Sequence, residues 1–137
     1  MSRVHVINPA ELPAPVGTYS QVAVDSVTGF IVIAGQVGID PHTGELPASA
    51  AAQCMFAVRH AISAVTASGG SPDTILRMTA YLADKRNIPA YRSARNAEYQ
   101  RLGLRVPPPH MLVVVAALGR DDYAVEVDAL AVCASDG

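Results

Sequence analysis

His110-Met111-Leu112-Val113-Val114-Val115-Ala116-Ala117-Leu118 is the stretch on which the fold turns. Side chains in a strand alternate between faces. This run therefore puts Leu112, Val114 and Ala116 on one face and Met111, Val113 and Val115 on the other, with no polar side chain after His110. Apolar residues on both faces predict a central strand covered twice. Pro107-Pro108-Pro109 stands immediately before it and bars any helix from running into the strand.

Working outward, residues 123–132 read as a last strand, with Glu126 and Asp128 on one face and Val125, Val127 and Ala129 on the other. Upstream, a helix starts near Asn87, tolerates Pro89 in its first turn and runs to about Leu102; its apolar face is thin, with Ile88, Tyr91, Ala94 and Leu102. Residues 74–83 alternate as a half-buried strand, Leu76, Met78, Ala80 and Leu82 against Arg77, Thr79 and Tyr81. A first helix is predicted from Ser49 as N-cap, with Ala51, Met55, Val58, Ile62 and Val65 at helical spacing, to the stop at Gly69-Gly70. Residues 4–7, 19–24 and 30–34 supply three earlier strands, the last two joined as a hairpin through Asp25-Ser26-Val27-Thr28-Gly29.

The order β-β-β-α-β-α-β-β predicts an α+β fold, one mixed sheet with both helices packed on one face. Two helices cover one side only. The stretch from His110 to Leu118 makes the other side apolar as well, so copies of the chain are expected to pack their sheets together in a cyclic oligomer with a barrel-like core. Periodicity leaves the symmetry number open.

Composition supports that expectation, since half of the residues are hydrophobic and 16% are charged, more apolar surface than one helix-covered sheet hides. The length of 137 residues, without linker, repeat or charge block, predicts a single domain over 1–137. A net charge of −2 with basic residues scattered along the chain gives no footprint for nucleic acid or an anionic membrane. Cys54 and Cys133 lack the spacing of a zinc or redox motif and read as reduced thiols. With no apolar signal core at Met1-Ser2-Arg3-Val4-His5 and no spanning apolar run, a soluble cytoplasmic protein is expected.

Few residues stand out for chemistry. Glu126 lies either on a buried or interfacial strand face, where a carboxylate is costly unless used, or on a solvent-facing edge, the commoner place for one. Tyr19 faces a cleft or packs, and His110, at a loop-to-strand junction, serves a site or a structural hydrogen bond. His5, His42 and His60 share no metal-ligand spacing, so no metal is expected. Arg77, Arg92, Arg95 and Arg105 are anion binders or solvated surface. Gly35 and Gly38 around Gln36 form no phosphate loop, because no Lys-Ser/Thr follows.

Taken in order, three segments resemble the Rid (YjgF/YER057c/UK114) family, also called endoribonuclease L-PSP. Gly17-Thr18-Tyr19-Ser20-Gln21 is similar to its G-P-Y-x-Q, Ala34-Gly35-Gln36-Val37-Gly38-Ile39-Asp40-Pro41 through Thr43-Gly44-Glu45 to its S-G-Q-x-x-x-(D/N)-P-x-T-G, and Val125-Glu126-Val127-Asp128-Ala129 to its I-E-I-E-A strand. The resemblance implies the chorismate mutase-like YjgF fold and a homotrimer with small-molecule clefts between subunits. For the best-known branch it implies hydrolysis of 2-imino or enamine acids to 2-keto acids and ammonia, without a cofactor. Catalytic roles would fall to Glu126, which positions the water, and to Tyr19 lining the cleft; Gly35, His110, Arg92 and Leu112 would bind substrate.

The departures from the family are equally specific. His110, or Pro109 in the alternative register, stands where the deaminating branch has a carboxylate-gripping arginine; Leu112 replaces a usual cysteine and Arg92 an asparagine. A neutral imidazole offers no bidentate fork, a loss of about 2–5 kcal/mol in carboxylate binding. The implied activity is therefore imine or enamine hydrolysis on a substrate other than the usual 2-imino acid. The alternatives are a non-catalytic trimer that binds a small metabolite and, least in keeping with the acidic charge, an endoribonuclease or translation inhibitor.

Overall fold

The computed structural model describes residues 2–135, and their elements follow the expected order. Strands β1 (Val4–Ile7), β2 (Val22–Asp25) and β3 (Phe30–Val37) form an antiparallel meander; helix α1 (Ala50–Ala67), strand β4 (Ile75–Leu82), helix α2 (Ile88–Arg101) and strands β5 (His110–Val114) and β6 (Val125–Val132) complete the chain. The six strands form one mixed sheet in the order β1-β2-β3-β6-β4-β5, in which only β4 and β5 run parallel. Both helices lie on one face.

That face is the core. Ile31 and Ile33 of β3, Met78, Ala80 and Leu82 of β4 and Val125, Val127, Ala129 and Ala131 of β6 are all buried beneath the helices. Each large apolar side chain so hidden stabilises the fold by about 1.5–3 kcal/mol. Helix α1 begins where Ser49 Oγ accepts the Ala52 N–H at 3.2 Å, as its capping chemistry predicts. Its buried stripe is Cys54, Ala57, Val58, Ala61, Ile62, Ala64 and Val65, with Ala51 exposed and Met55 only half-buried. Val58, Ile62 and Val65 are buried as expected, and Cys54, Ala57, Ala61 and Ala64 take the places expected of Ala51 and Met55.

Helix α2 is anchored by residues its thin apolar pattern did not reveal, Glu98 and Tyr99 beside Tyr91. Glu98, 3% exposed, accepts from Arg59 of α1 at 2.6 Å and from Arg101 at 2.9 Å, and so ties the two helices together. Burial pushes its carboxyl up, yet the two guanidinium groups outweigh burial and hold it below the usual range.

Three expectations are corrected. The stretch from His110 to Leu118 is not a central strand: β5 ends at Val114 and lies at the sheet edge beside β4, leaving Met111 and Val114 about half exposed. Its double-sided apolar pattern belongs to an edge that the isolated chain does not cover. Leu76 points outward at 45% exposure, because the pairing to β6 slips between Ile75 and Arg77 and puts Ile75 on the buried side instead. The second strand begins at Val22, so Tyr19 belongs to the preceding loop.

Candidate functional site

A second slip in the sheet builds the site. Ile33 pairs with Ala129 but Gln36 pairs with Val127, so β3 carries one residue more than β6 across this interval. Such a bulge re-aims the strand that contains it. Gln36 is turned into the core and Gly35 is left under Glu126, on the face away from the helices. Glycine lets the carboxylate lie on the strand: a Cβ at Gly35 would lie 2.7 Å from Cδ and 2.8 Å from Cγ of Glu126 and would push that side chain aside.

Glu126 thus rests its carboxylate on bare backbone. Among the described residues no group hydrogen-bonds to it, and it is half-buried. Burial, helped by the negative charge of Asp128 two residues on, raises its pKa above the ordinary carboxyl value. Asp128 itself is held by the Tyr81 hydroxyl, which donates to it at 3.1 Å. A carboxylate that is desolvated, unpaired and raised in basicity is suited to take a proton from water.

The carboxylate faces a cavity of about 330 Å³ walled by Pro13, Val16, Tyr19, Gly35 and Tyr123. Tyr19 comes from the loop before β2, where its hydroxyl accepts the Val16 N–H at 3.4 Å. Gln21 fastens the foot of that loop: its side chain donates to the Pro13 carbonyl at 2.7 Å, and its backbone N–H donates to Asn8 Oδ1 at 2.9 Å. Three of the six predicted site residues, Tyr19, Gly35 and Glu126, therefore meet in one cavity of a single chain.

The opposite wall depends on a residue that the sequence did not flag. Gln53, 3% exposed in the first turns of α1, donates to the carbonyls of Pro47 and Asp122 at 2.8 and 3.1 Å and accepts the Ala124 N–H at 2.8 Å. It fixes the approach to Glu126 and sets Tyr123 in the cavity wall. Gly38 permits this close approach, since a Cβ there would stand 2.6 Å from the Gln53 carbonyl carbon. A buried glutamine opposite a glycine was the available signal, although neither residue type alone is diagnostic.

The other three predicted residues lie elsewhere. His110 pairs with buried Met78 and faces the helix layer, where its Nε2 is 2.6 Å from the hydroxyl of Tyr91. Burial, with the positive charge of Arg95 beside it, lowers the imidazole pKa to about 4. Leu112, level with Ala80, packs against the core from the same face, and Arg92 is exposed on α2. None of the three lines the Glu126 cavity of its own chain. Among the described residues no helix is long and apolar enough to cross a membrane.

Comparisons with known proteins agree with this architecture. Residues 10–133 match the family model described as Endoribonuclease L-PSP. A RutC family protein of Pasteurella multocida is 32% identical over 131 residues, covering 93% of this chain and 96% of the relative. A protein of Escherichia coli named 2-iminobutanoate/2-iminopropanoate deaminase is 30% identical over 120 residues, with 88% and 91% covered. Among solved structures, the YjgF gene product of E. coli superposes with a TM-score of 0.82 at 29% identity, covering 93% of this chain and 98% of that one. E. coli TdcF with bound serine gives 0.84 at 26% identity, with 95% and 99% covered. With the sheet order, the bulge at Gly35 and the placement of Glu126 in agreement with the three sequence segments, the chain belongs to the Endoribonuclease L-PSP (RidA/YjgF) family.

Proposed function

We propose that this protein hydrolyses a small reactive imine or enamine to a carbonyl compound and ammonia, and that it does so as a homotrimer with clefts between subunits. The observation that carries this reading is the unpaired, half-buried carboxylate of Glu126 lying over Gly35 in a cavity walled by Tyr19. A relative of known name, the E. coli deaminase, and a neighbour holding an amino acid, TdcF with serine, support a small nitrogen-bearing ligand.

In the proposed reaction Glu126 holds a water and takes its proton as the oxygen attacks the C=N carbon. The C–O bond forms as the C=N π pair moves to nitrogen. The same carboxyl returns that proton to nitrogen, giving a carbinolamine, then takes the proton of its hydroxyl and passes it to nitrogen as well; the O–H pair becomes the carbonyl π bond, the C–N bond breaks, and ammonia leaves. Water is the only co-reactant, so no cofactor is needed. Tyr19 shapes the wall, and the backbone at Gly35 orients the ligand.

Trimer formation is supported by the uncovered side of the sheet. Val32, Leu76 and Met111 are each 41–50% exposed, more apolar surface than a solitary chain leaves open without reason. In the assembly, His110, Leu112 and Arg92 of a neighbouring copy would complete the cleft that Glu126 opens. Without the arginine fork the substrate is not the usual 2-imino acid.

The test is ammonia release from imines generated in place, together with mass measurement in solution. The wild-type protein should accelerate release and Glu126→Gln should not. Equal rates in the two would remove the mechanism, and a stable monomer at working concentration would remove the cleft. A non-catalytic metabolite-binding trimer would instead show ligand-dependent melting without turnover.

A further inference from the structure

Tyr91 is 0% exposed, and His110 Nε2 is the sole hydrogen-bond partner of its hydroxyl among the described residues. A phenol carries one proton, and in this position there is one acceptor to receive it. Were the imidazole to donate from Nε2, the Tyr91 proton would be left buried without a partner, and an unpaired buried donor is strongly disfavoured. The bond therefore runs from the Tyr91 hydroxyl to His110 Nε2. The His110 proton must then be on Nδ1.

Nδ1 has no partner among the described residues and is not fully buried, so on this half-buried ring of the edge strand it stays open to solvent. We infer that Tyr91 is a positioning residue that locks His110 in its Nδ1–H tautomer, so that the site presents one uncharged donor and recognises a neutral acceptor, a carbonyl or amide oxygen, in place of a carboxylate. The ligand half of this inference rests on the proposed cleft; the tautomer does not. Arg95, the charged side chain that bears on this ring from α2, reinforces the neutral form.

The experiment is nitrogen NMR of the histidine rings in the unliganded protein, followed by titration with pyruvamide and with pyruvate. His110 should show a pyrrole-like Nδ1 and a pyridine-like Nε2, and pyruvamide should bind about ten-fold more tightly than pyruvate. In Tyr91→Phe the two nitrogen shifts should move toward the average of exchanging tautomers, and the preference for the amide should shrink. An Nε2–H tautomer in the wild type would overturn the positioning role. Pyruvate binding as tightly as pyruvamide, or binding of neither, would overturn the recognition. Because the ring spectrum needs no turnover, a failure of the hydrolase reading leaves the tautomer result standing, and the reverse also holds.

Discussion

Glu126 and His110 sit on opposite faces of the same sheet, on β6 and β5 with β4 between them, and burial treats them as mirror images. Desolvation disfavours charge on either, so the acid is raised and the base is lowered. The difference lies in what surrounds each. Glu126 looks into a cavity of its own chain and is bonded to nothing among the described residues, whereas His110 is tied to a buried tyrosine and faces no cavity formed with Glu126. A desolvated group left without a partner is available for chemistry. One with a partner is oriented for recognition.

The sharpest way to break this contrast is Glu126→Gln. Removal of a general base should lower the rate of ammonia release by about 10²–10⁴. Melting should hold or rise by a few degrees at neutral pH. The sign follows from linkage: a carboxyl whose pKa is raised in the fold binds more protons folded than unfolded, so its ionised form costs stability as pH rises through that pKa. Loss of activity together with loss of folding would make Glu126 a structural residue.

Gly35→Ala comes next. The new methyl would collide with the carboxylate, which can turn aside, so a displaced Glu126 is expected, read as a weaker rate with a denaturation midpoint lowered by at most about 1 kcal/mol of stability. An unchanged protein would mean that the bulge relaxes freely. His110→Arg is a smaller change. It should raise activity on 2-iminopropanoate by roughly ten-fold if the position faces the cleft as a clamp, and the gain should be absent if it does not.

The smallest effect is on acid stability. Folded His110 titrates at about 4 and an unfolded histidine near 6.5, so the unfolded chain binds the extra proton first. Stability due to this group is complete above about 6.5 and declines as pH falls toward 4. His110→Gln should flatten that part of the melting profile. A profile that keeps its slope would assign it to other groups.

Much of this molecule was legible in the sequence because period-two and helical patterns report directly on burial. The capping at Ser49 and the opposed faces of β6 follow from residue types alone. The site's near half followed from the three family segments, since Tyr19, Gly35 and Glu126 meet as their motifs imply. What was not legible depends on register. The face of Leu76 is not legible, because one extra residue in β4 inverts parity and no residue type marks that slip. The edge position of β5 was missed because an apolar strand looks the same whether its own chain or another covers it. Gln53 and Tyr91 act through bonds to residues 69 to 71 and 19 positions away, beyond any local pattern.

Gln53 also decides where traffic can pass. Two of its three hydrogen bonds reach Asp122 and Ala124, on either side of Tyr123, so that flank is bolted to α1 and cannot swing without breaking both. Among the described residues no helix side chain bonds to the facing flank, residues 13–18; it is pinned at its start through Gln21 and held elsewhere by Tyr19, whose hydroxyl accepts from Val16 and whose N–H donates to the Gly17 carbonyl. If anything enters or leaves the hollow beneath Tyr19, this proline-rich flap is the side that yields, and stiffening it should slow exchange without touching the groups inside.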